Sequence, residues 1–192
     1  MTGSLLTPLF PQQPVPSLSI KTVGGGTWTL ADQKPQNFSL VVFYRGLHCP
    51  ICGGYLQDLN KKLPDFERRG VTVIALSSDS EERAQEAKQK WRLTDLTLGY
   101  ELPLDTARRW GLYISRGHGP TSTGLDEPAL FSEPALYFVR PDGTLYFGAA
   151  QTMPFARPHF DDILTALDFV IAKNYPARGE LTDEEFALTL RS

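Results

Sequence analysis

The two cysteines of this chain lie close together, directly after an apolar segment. Residues 38–45 read Phe-Ser-Leu-Val-Val-Phe-Tyr-Arg, and Cys49-Pro50-Ile51-Cys52 follows. The apolar run predicts a strand buried on both faces, and apolar residues at helical spacing after the cysteines predict a helix. A helix N-terminus has unpaired N–H groups and a positive dipole, which stabilise a thiolate. The pattern therefore predicts a reactive dithiol, in which one thiol attacks a target and the other resolves the mixed disulfide.

The patterns that follow alternate between strand and helix. Residues 71–76 form a second apolar run, which completes a parallel strand–helix–strand unit. Pro64 lies inside the helical pattern and predicts a kink or the end of the helix. Ser78 followed by Glu81 is typical of the capped start of a second helix. Residues 135–148, with a Pro-Asp-Gly sequence in the middle, predict a β-hairpin before a last amphipathic helix.

The length of 192 residues fits one domain with extended termini. Residues 1–16 are rich in proline and predict an extended N-terminal arm, whereas residues 17–178 carry the strand and helix patterns of the domain. Residues 179–192 predict a polar tail with a short helix at 182–190. Residues 115–132 are polar and rich in Gly and Pro, which predicts a long loop near a functional site.

Composition excludes several classes of function. The formal net charge of −3 gives no basic surface for nucleic acid or anionic membranes. No uncharged stretch approaches the roughly 20 residues that span a bilayer, and the start lacks a signal-peptide pattern, so we expect a cytoplasmic protein. A structural zinc site needs four ligands, and only His48, His118 and His159 lie outside the cysteine pair. We therefore expect no metal, and without a nucleotide-binding glycine pattern we expect no cofactor.

The order of elements resembles the thioredoxin-like fold, an α/β fold of three α/β/α layers around a central mixed sheet. An N-terminal β-hairpin at Gly24-Gly25-Gly26 and an extended C-terminal helical segment would be added to it. More specifically, the chain resembles the peroxiredoxin-like branch of the thioredoxin superfamily, the alkyl hydroperoxide reductase/thiol-specific antioxidant proteins. The segments that carry the resemblance are residues 42–46 before the cysteines, residues 135–143 and residues 166–179.

The resemblances to thioredoxins and to peroxiredoxins imply different roles for the two cysteines. In thioredoxin-like exchange the first cysteine attacks, so Cys49 would be the nucleophile and Cys52 its resolving partner. In peroxiredoxins the peroxidatic cysteine ends a Pro-x-x-x-Thr-x-x-Cys motif, which would make Cys52 peroxidatic and Cys49 resolving. Cys49 then stands at the Thr position and Arg45 at the Pro position, so both companions of the peroxidatic cysteine are absent.

The resemblance also implies residues around the dithiol that bind substrate. Peroxiredoxins hold the thiolate with an Arg from a later strand, but residues 132–135 read Ser-Glu-Pro-Ala. This segment is similar to the cis-proline position of thioredoxins, so we expect Pro134 to face the dithiol and present backbone groups to a substrate. His48 either supports a thiolate or shuttles protons, or it is a polar loop residue facing solvent. Arg45 either supplies positive potential to the sulfurs or forms an outward ion pair.

These observations lead to three functional hypotheses. The first is a thiol-disulfide oxidoreductase that cycles between the Cys49–Cys52 dithiol and its disulfide. The second is a thiol-dependent peroxidase with Cys52 peroxidatic, and the third is a redox-inactive interaction module. For the redox hypotheses we expect an external thiol reductant, of the thioredoxin or glutathione type, and a peroxide or protein disulfide as substrate. The resemblance also allows a homodimer, and we expect neither nucleic acid nor membrane as a partner.

Overall fold

The computed structural model describes residues 8–191, in which a mixed β-sheet is flanked by helices. The strands are β1 (Ser19–Thr22), β2 (Thr27–Thr29), β3 (Phe38–Phe43), β4 (Val71–Leu76), β5 (Leu98–Tyr100), β6 (Ile114–Arg116), β7 (Leu130–Ser132), β8 (Ala135–Val139) and β9 (Leu145–Ala150). The helices are α1 (Pro50–Arg68), α2 (Glu81–Lys90), α3 (Leu104–Arg109), α4 (Phe160–Lys173) and α5 (Asp183–Thr189), with a 3-10 turn at Leu30–Asp32.

The main sheet has seven strands in the order β2-β1-β5-β4-β3-β8-β9. Strand β4 is parallel to β3 and to β5, whereas β8 is antiparallel to β3 and β9 is antiparallel to β8. Strands β1 and β2 form the predicted N-terminal hairpin. The sheet is therefore mixed, and β3, near its centre, delivers its carboxyl end to the cysteines. This confirms the predicted α/β, thioredoxin-like fold.

Strand β3 is buried on both faces because the sheet lies between two apolar layers. Its side chains alternate: Leu40 and Val42 belong to one core cluster, with residues of α1, α2 and α4. Val41 and Phe43 belong to the other, with residues of α3 and with Trp110. Every residue of β3 is buried, which explains why its sequence is an unbroken apolar run rather than an alternating one.

Helix α1 begins at the cysteine pair and continues past Pro64. Cys49 is its N-cap residue and Pro50 occupies the first turn, where a missing N–H costs nothing. Since the helix continues to Arg68, Pro64 does not end it, although ending it is one of the two outcomes expected at this proline. Burial of apolar side chains on both sides of Pro64, such as Leu59 and Phe66, offsets the lost backbone hydrogen bond.

Helix α2 begins two residues later than predicted. Its N-cap is Ser80 rather than Ser78, and the Ser80 hydroxyl accepts a hydrogen bond from the Arg83 backbone N–H at 3.4 Å. Residues 115–132 are also more regular than the expected loop, since β6 and β7 pair antiparallel, with Ile114 opposite Ser132. We call residues 114–132 the β6–β7 hairpin.

The terminal segments pack to different degrees. In the N-terminal arm, the Gln12 N–H donates to the Leu145 carbonyl at 2.7 Å and the Val15 N–H donates to the Gly143 carbonyl at 3.0 Å. Residues 1–7 of the predicted arm lie outside the described residues. Helix α5 falls within the predicted 182–190 range and is exposed along its length. None of the helices in the described range has the length and apolarity needed to cross a membrane.

Candidate active site

The two sulfurs lie at the N-terminus of α1, inside the protein. Cys49 and Cys52 are free thiols with exposed fractions of 1% and 0%. A tight turn leads from β3 into the helix, in which the Cys49 N–H donates to the Gly46 carbonyl at 3.1 Å. The Cys52 N–H donates to the Cys49 carbonyl at 3.1 Å. The turn thus places both cysteines at the N-terminus of α1, where the positive end of the helix dipole favours a thiolate.

An arginine from a distant segment contacts both sulfurs. Nη2 of Arg157 lies 3.0 Å from Sγ of Cys52 and 3.8 Å from Sγ of Cys49. The guanidinium is held by a hydrogen bond from Nε to the Pro154 carbonyl at 2.9 Å, and it lies over the Tyr55 ring at 5.0 Å. Its Nη1 is buried and has no hydrogen-bond partner among the described residues. A fixed positive charge therefore faces the dithiol.

The surroundings of the dithiol move the two thiol pKa values in opposite directions. The pKa of Cys49 is lowered to about 6, mainly because the Cys52 thiol donates a hydrogen bond to it and also because of the positive charges of Arg157 and Arg45. The pKa of Cys52 is raised, first by burial and then by its neighbour Cys49. Arg157 lies closer to Cys52, but Cys52 is fully buried beside a sulfur that ionises first. These surroundings therefore favour the thiolate at Cys49 over the thiolate at Cys52.

His48 is a buried neutral side chain next to Cys49. Its exposed fraction is 0%, and its ring packs against Phe131 with centroids 4.8 Å apart. Neither ring nitrogen has a hydrogen-bond partner among the described residues. Burial, with a further contribution from Arg45, lowers the pKa of His48 to about 4. The expectation of a solvent-facing residue is wrong, and a neutral ring at pH 7 supplies no charge to the thiolate.

Arg45 points inward, into a network of ion pairs. Its guanidinium lies 3.1 Å from Oε1 of Glu127 and 3.4 Å from Oε2 of Glu133, and it lies over the Phe131 ring at 4.6 Å. These partners belong to the β6–β7 hairpin or follow it directly. The expected outward ion pair is therefore wrong. Arg45 contacts neither sulfur, and its charge is only a minor cause of the low pKa of Cys49.

Pro134 does not take the form expected of a cis-proline. Every peptide bond among the described residues is trans. The Pro134 carbonyl accepts a hydrogen bond from the Gln151 N–H at 2.9 Å, next to the paired residues Ala135 and Ala150 of β8 and β9. Because the sheet ladder uses this carbonyl, it is not free to bind an extended substrate.

A groove beside the dithiol runs between the start of α1 and the segment 151–159. Its volume is about 960 Å³, and its lining includes Gly54, Arg157 and the exposed Phe155. A Cβ atom at Gly54 would have no atom within 4 Å, whereas one at Gly53 would lie 2.7 Å from Nε1 of Trp91. Gly53 therefore allows close packing of the helix, and Gly54 leaves the groove open next to the active site.

The sequence reasoning missed Arg157, the residue that contacts the sulfurs most directly. It lies 105 residues after Cys52, in a segment with neither strand nor helix pattern. The only local signal is an arginine followed by a proline just before the last helix. Within residues 8–191, no three His, Cys, Asp or Glu side chains come together as a metal site.

Comparisons with known proteins agree with this geometry. The sequence profile of the AhpC/TSA family matches residues 11–147. A search of curated proteins gave no match. Among solved structures, the reduced 2-Cys peroxiredoxin of Plasmodium vivax is 18% identical with a TM-score of 0.69, covering 96% of this chain and 100% of that chain. The peroxiredoxin-like protein of Aquifex aeolicus is 14% identical with a TM-score of 0.68, covering 87% and 91%.

A third similar structure is the peroxidoxin BcpB of Mycobacterium tuberculosis, which is 15% identical to this chain with a TM-score of 0.65. The match covers 84% of this chain and 98% of that chain. These likenesses show the fold, and the profile shows the family. Because the matched residues make up most of the chain and include both cysteines, the protein belongs to the AhpC/TSA family, the peroxiredoxin branch of thiol-dependent redox enzymes.

Proposed function

We propose that the protein is a thiol-disulfide oxidoreductase that cycles between the Cys49–Cys52 dithiol and its disulfide, with Cys49 as the attacking residue. The observation that carries this proposal is the placement of both sulfurs at the start of α1 beside Arg157, where the surroundings lower the pKa of Cys49 and raise that of Cys52. Cys49, with a pKa of about 6, is mostly ionised at pH 7, whereas Cys52 keeps its proton. The thiolate is the nucleophile in disulfide exchange.

The two cysteines ionise in succession during the cycle. The Cys49 thiolate attacks one sulfur of the substrate disulfide, and the other sulfur leaves as a thiolate and takes up a proton. Cys49 then carries no charge, which removes one cause of the high pKa of Cys52. Arg157, 3.0 Å away, favours the Cys52 thiolate. Cys52 loses its proton and attacks the Cys49 sulfur, releasing the second substrate thiol and leaving the Cys49–Cys52 disulfide, so two electrons pass to the substrate.

A second candidate, peroxide reduction at Cys52, is favoured by the closer approach of Arg157 to Cys52 and by the burial of both sulfurs. A peroxide reaches buried sulfur more easily than a protein disulfide does. The Cys52 thiolate would attack one peroxide oxygen, the O–O bond would break, and the alcohol or water would leave after protonation. Cys49 would then attack the Cys52 sulfenic acid, releasing water and forming the same disulfide.

Both candidates need a thiol reductant from outside the protein. We propose a dithiol of the thioredoxin type or glutathione, in a reducing cytoplasm where an exposed donor thiol stays reduced. The donor thiolate would attack the Cys49 sulfur, and a second donor thiol would release the reduced enzyme. We also propose that the protein forms a homodimer, as relatives in the family do, which size-exclusion chromatography with light scattering would test.

The single variants Cys49→Ser and Cys52→Ser distinguish the two candidates. If Cys49 attacks first, Cys52→Ser accumulates a mixed disulfide with a model disulfide, seen by mass spectrometry, and Cys49→Ser does not react. If Cys52 is peroxidatic, Cys52→Ser loses peroxide consumption in stopped flow, and Cys49→Ser retains a sulfenic acid that dimedone labels. The double variant is the matched control. A wild-type protein that reacts with neither oxidant would contradict both candidates and favour the redox-inactive interaction module.

A further inference from the structure

Asp79 is a buried carboxylate that the proposed chemistry does not use. It lies just after β4 with an exposed fraction of 2%. Oδ2 accepts a hydrogen bond from the Leu47 backbone N–H at 2.7 Å, and Oδ1 accepts one from Nε of Arg83 at 3.0 Å. A buried carboxylate is costly unless it is hydrogen-bonded and paired, and both oxygens of Asp79 meet a donor. One of these donors lies two residues before Cys49.

The turn that precedes Cys49 is built around this carboxylate. The Cys49 N–H donates to the Gly46 carbonyl across the turn, with Leu47 and His48 between them. Gly46 has a φ of +139°, a conformation that favours glycine. A Cβ atom at this position would lie 2.8 Å from both carboxylate oxygens of Asp79. Only a glycine therefore lets the carboxylate approach closely enough to bond the next amide.

Asp79 is itself held by the end of the sheet rather than by α1. Its N–H donates to Oγ of Ser77 at 3.3 Å, and its carbonyl accepts from the Glu101 N–H at 2.8 Å. Arg83, on α2, balances its charge and also donates to the Asp126 carbonyl of the β6–β7 hairpin at 3.3 Å. The Asp79 carboxylate is thus held in place by residues outside α1, and the turn before the dithiol is hydrogen-bonded to it.

We propose that Asp79 is a positioning residue of the dithiol: its carboxylate holds the Leu47 amide and thereby fixes the turn that places the Cys49 sulfur at the N-terminus of α1. The inference rests on the proposed function, in which Cys49 attacks first. Asp79 touches neither sulfur and its charge is balanced by Arg83, so it acts through the geometry of the turn. When the turn is released, the Cys49 sulfur moves away from the donors on Cys52 that stabilise its thiolate.

The test replaces Leu47 by the α-hydroxy acid analogue of leucine, which exchanges the backbone N–H for oxygen and removes the bond to Asp79 without changing any charged group. We expect the titration midpoint of Cys49, followed by thiolate absorbance near 240 nm, to rise by about one unit. Alkylation of Cys49 by iodoacetamide at pH 6 then slows about fivefold, in proportion to the thiolate fraction. The matched control is the same replacement at Leu181, an exposed leucine of the C-terminal segment, and we expect its midpoint to stay at the wild-type value.

A folded Leu47 analogue with the wild-type midpoint, or an equal shift in the Leu181 control, would overturn the proposal. If the Leu47 analogue does not fold, the same bond is removed from its other partner by Asp79→Ala, which deletes both acceptor oxygens. The same rise is expected, and an unchanged midpoint overturns the proposal. The proposed function and the role of Asp79 are tested by different results. A wild-type titration midpoint of Cys49 near 9 would contradict the proposed function, whatever the variants show.

Discussion

Arg157 is the residue whose removal tests the electrostatics of the dithiol most directly. Replacing it by Gln keeps a polar, though shorter, side chain and removes the positive charge that lies 3.0 Å from Cys52 and 3.8 Å from Cys49. The stacking over Tyr55 and the hydrogen bond to Pro154 are lost as well. We expect the pKa of Cys49 to rise and its reactivity at neutral pH to fall.

The size of the effect follows from the distance between the charges. Two unit charges 3.8 Å apart attract by about 4 kcal/mol at an effective dielectric constant of 20. Water that enters the vacated site and the donors that remain on Cys52 offset roughly one third to two thirds of this. We therefore expect a loss of roughly 1.4–2.7 kcal/mol, or about one to two pKa units. From a wild-type pKa of about 6, the thiolate fraction at pH 7 then falls about two- to tenfold.

The assay is the pH dependence of thiolate absorbance, together with the rate of Cys49 alkylation by iodoacetamide at pH 7. Arg157→Lys keeps the charge without the planar fork of the guanidinium, so we expect an intermediate midpoint. Arg69→Gln is the matched control, because Arg69 lies at the far end of α1 and pairs with Asp168 on α4.

One result would refute this reasoning. If Arg157→Gln keeps the wild-type midpoint while its circular dichroism and melting temperature are unchanged, the guanidinium does not stabilise the thiolate. A shift of the same size in Arg69→Gln would also refute it, since that variant changes the net charge of the protein equally but far from the sulfurs.

Two further predictions concern the packing around the site. Gly53→Ala brings a methyl group against Trp91, so we expect the free energy of unfolding to fall by about 1–3 kcal/mol. At Gly54 the added methyl group meets open space, so we expect Gly54→Ala to raise the free energy of unfolding by up to about 1 kcal/mol. Urea denaturation of the two variants measures the difference. His48 is buried and neutral, with a pKa of about 4, whereas in the unfolded chain the pKa of this imidazole is about 6.5. As the pH falls, the imidazole therefore takes up a proton in the unfolded chain before it does so in the folded protein. We expect the free energy of unfolding to decrease by about 3 kcal/mol between about pH 6.5 and pH 4. His48→Phe should remove this part of the acid sensitivity, and an imidazole midpoint above 6 in an NMR titration would contradict the explanation.

The parts of the fold that the sequence predicts well are those with local signals. The apolar runs of β3 and β4, the glycine turn between β1 and β2 and the hairpin of β8 and β9 are each encoded by neighbouring residues. The position of the cysteines at the start of α1 follows from the same patterns. Pro64 is the exception, because burial of α1 against the sheet outweighs a local preference to end the helix.

The surroundings of the dithiol depend on contacts between residues that are far apart in the chain. Local sequence patterns do not predict these contacts. His48 looks like a polar loop residue until the β6–β7 hairpin brings Phe131 onto its ring. Arg45 finds its two carboxylate partners in or next to the same hairpin, and Arg157 comes from the segment between β9 and α4. Each of these contacts joins residues far apart in the chain, and no spacing rule relates them.

The origin of Arg157 has a consequence for how substrate access and reactivity are related. The resemblance to peroxiredoxins implies an arginine at the start of β8, on a rigid strand of the sheet. In this chain the charge comes instead from the segment 151–159, which also forms one wall of the groove and carries the exposed Phe155. If a large substrate displaced this segment to reach the buried sulfurs, it would also take the guanidinium away from the thiolate. A substrate that fits the groove without displacing Arg157 therefore meets a more reactive Cys49 than one that must push the segment aside.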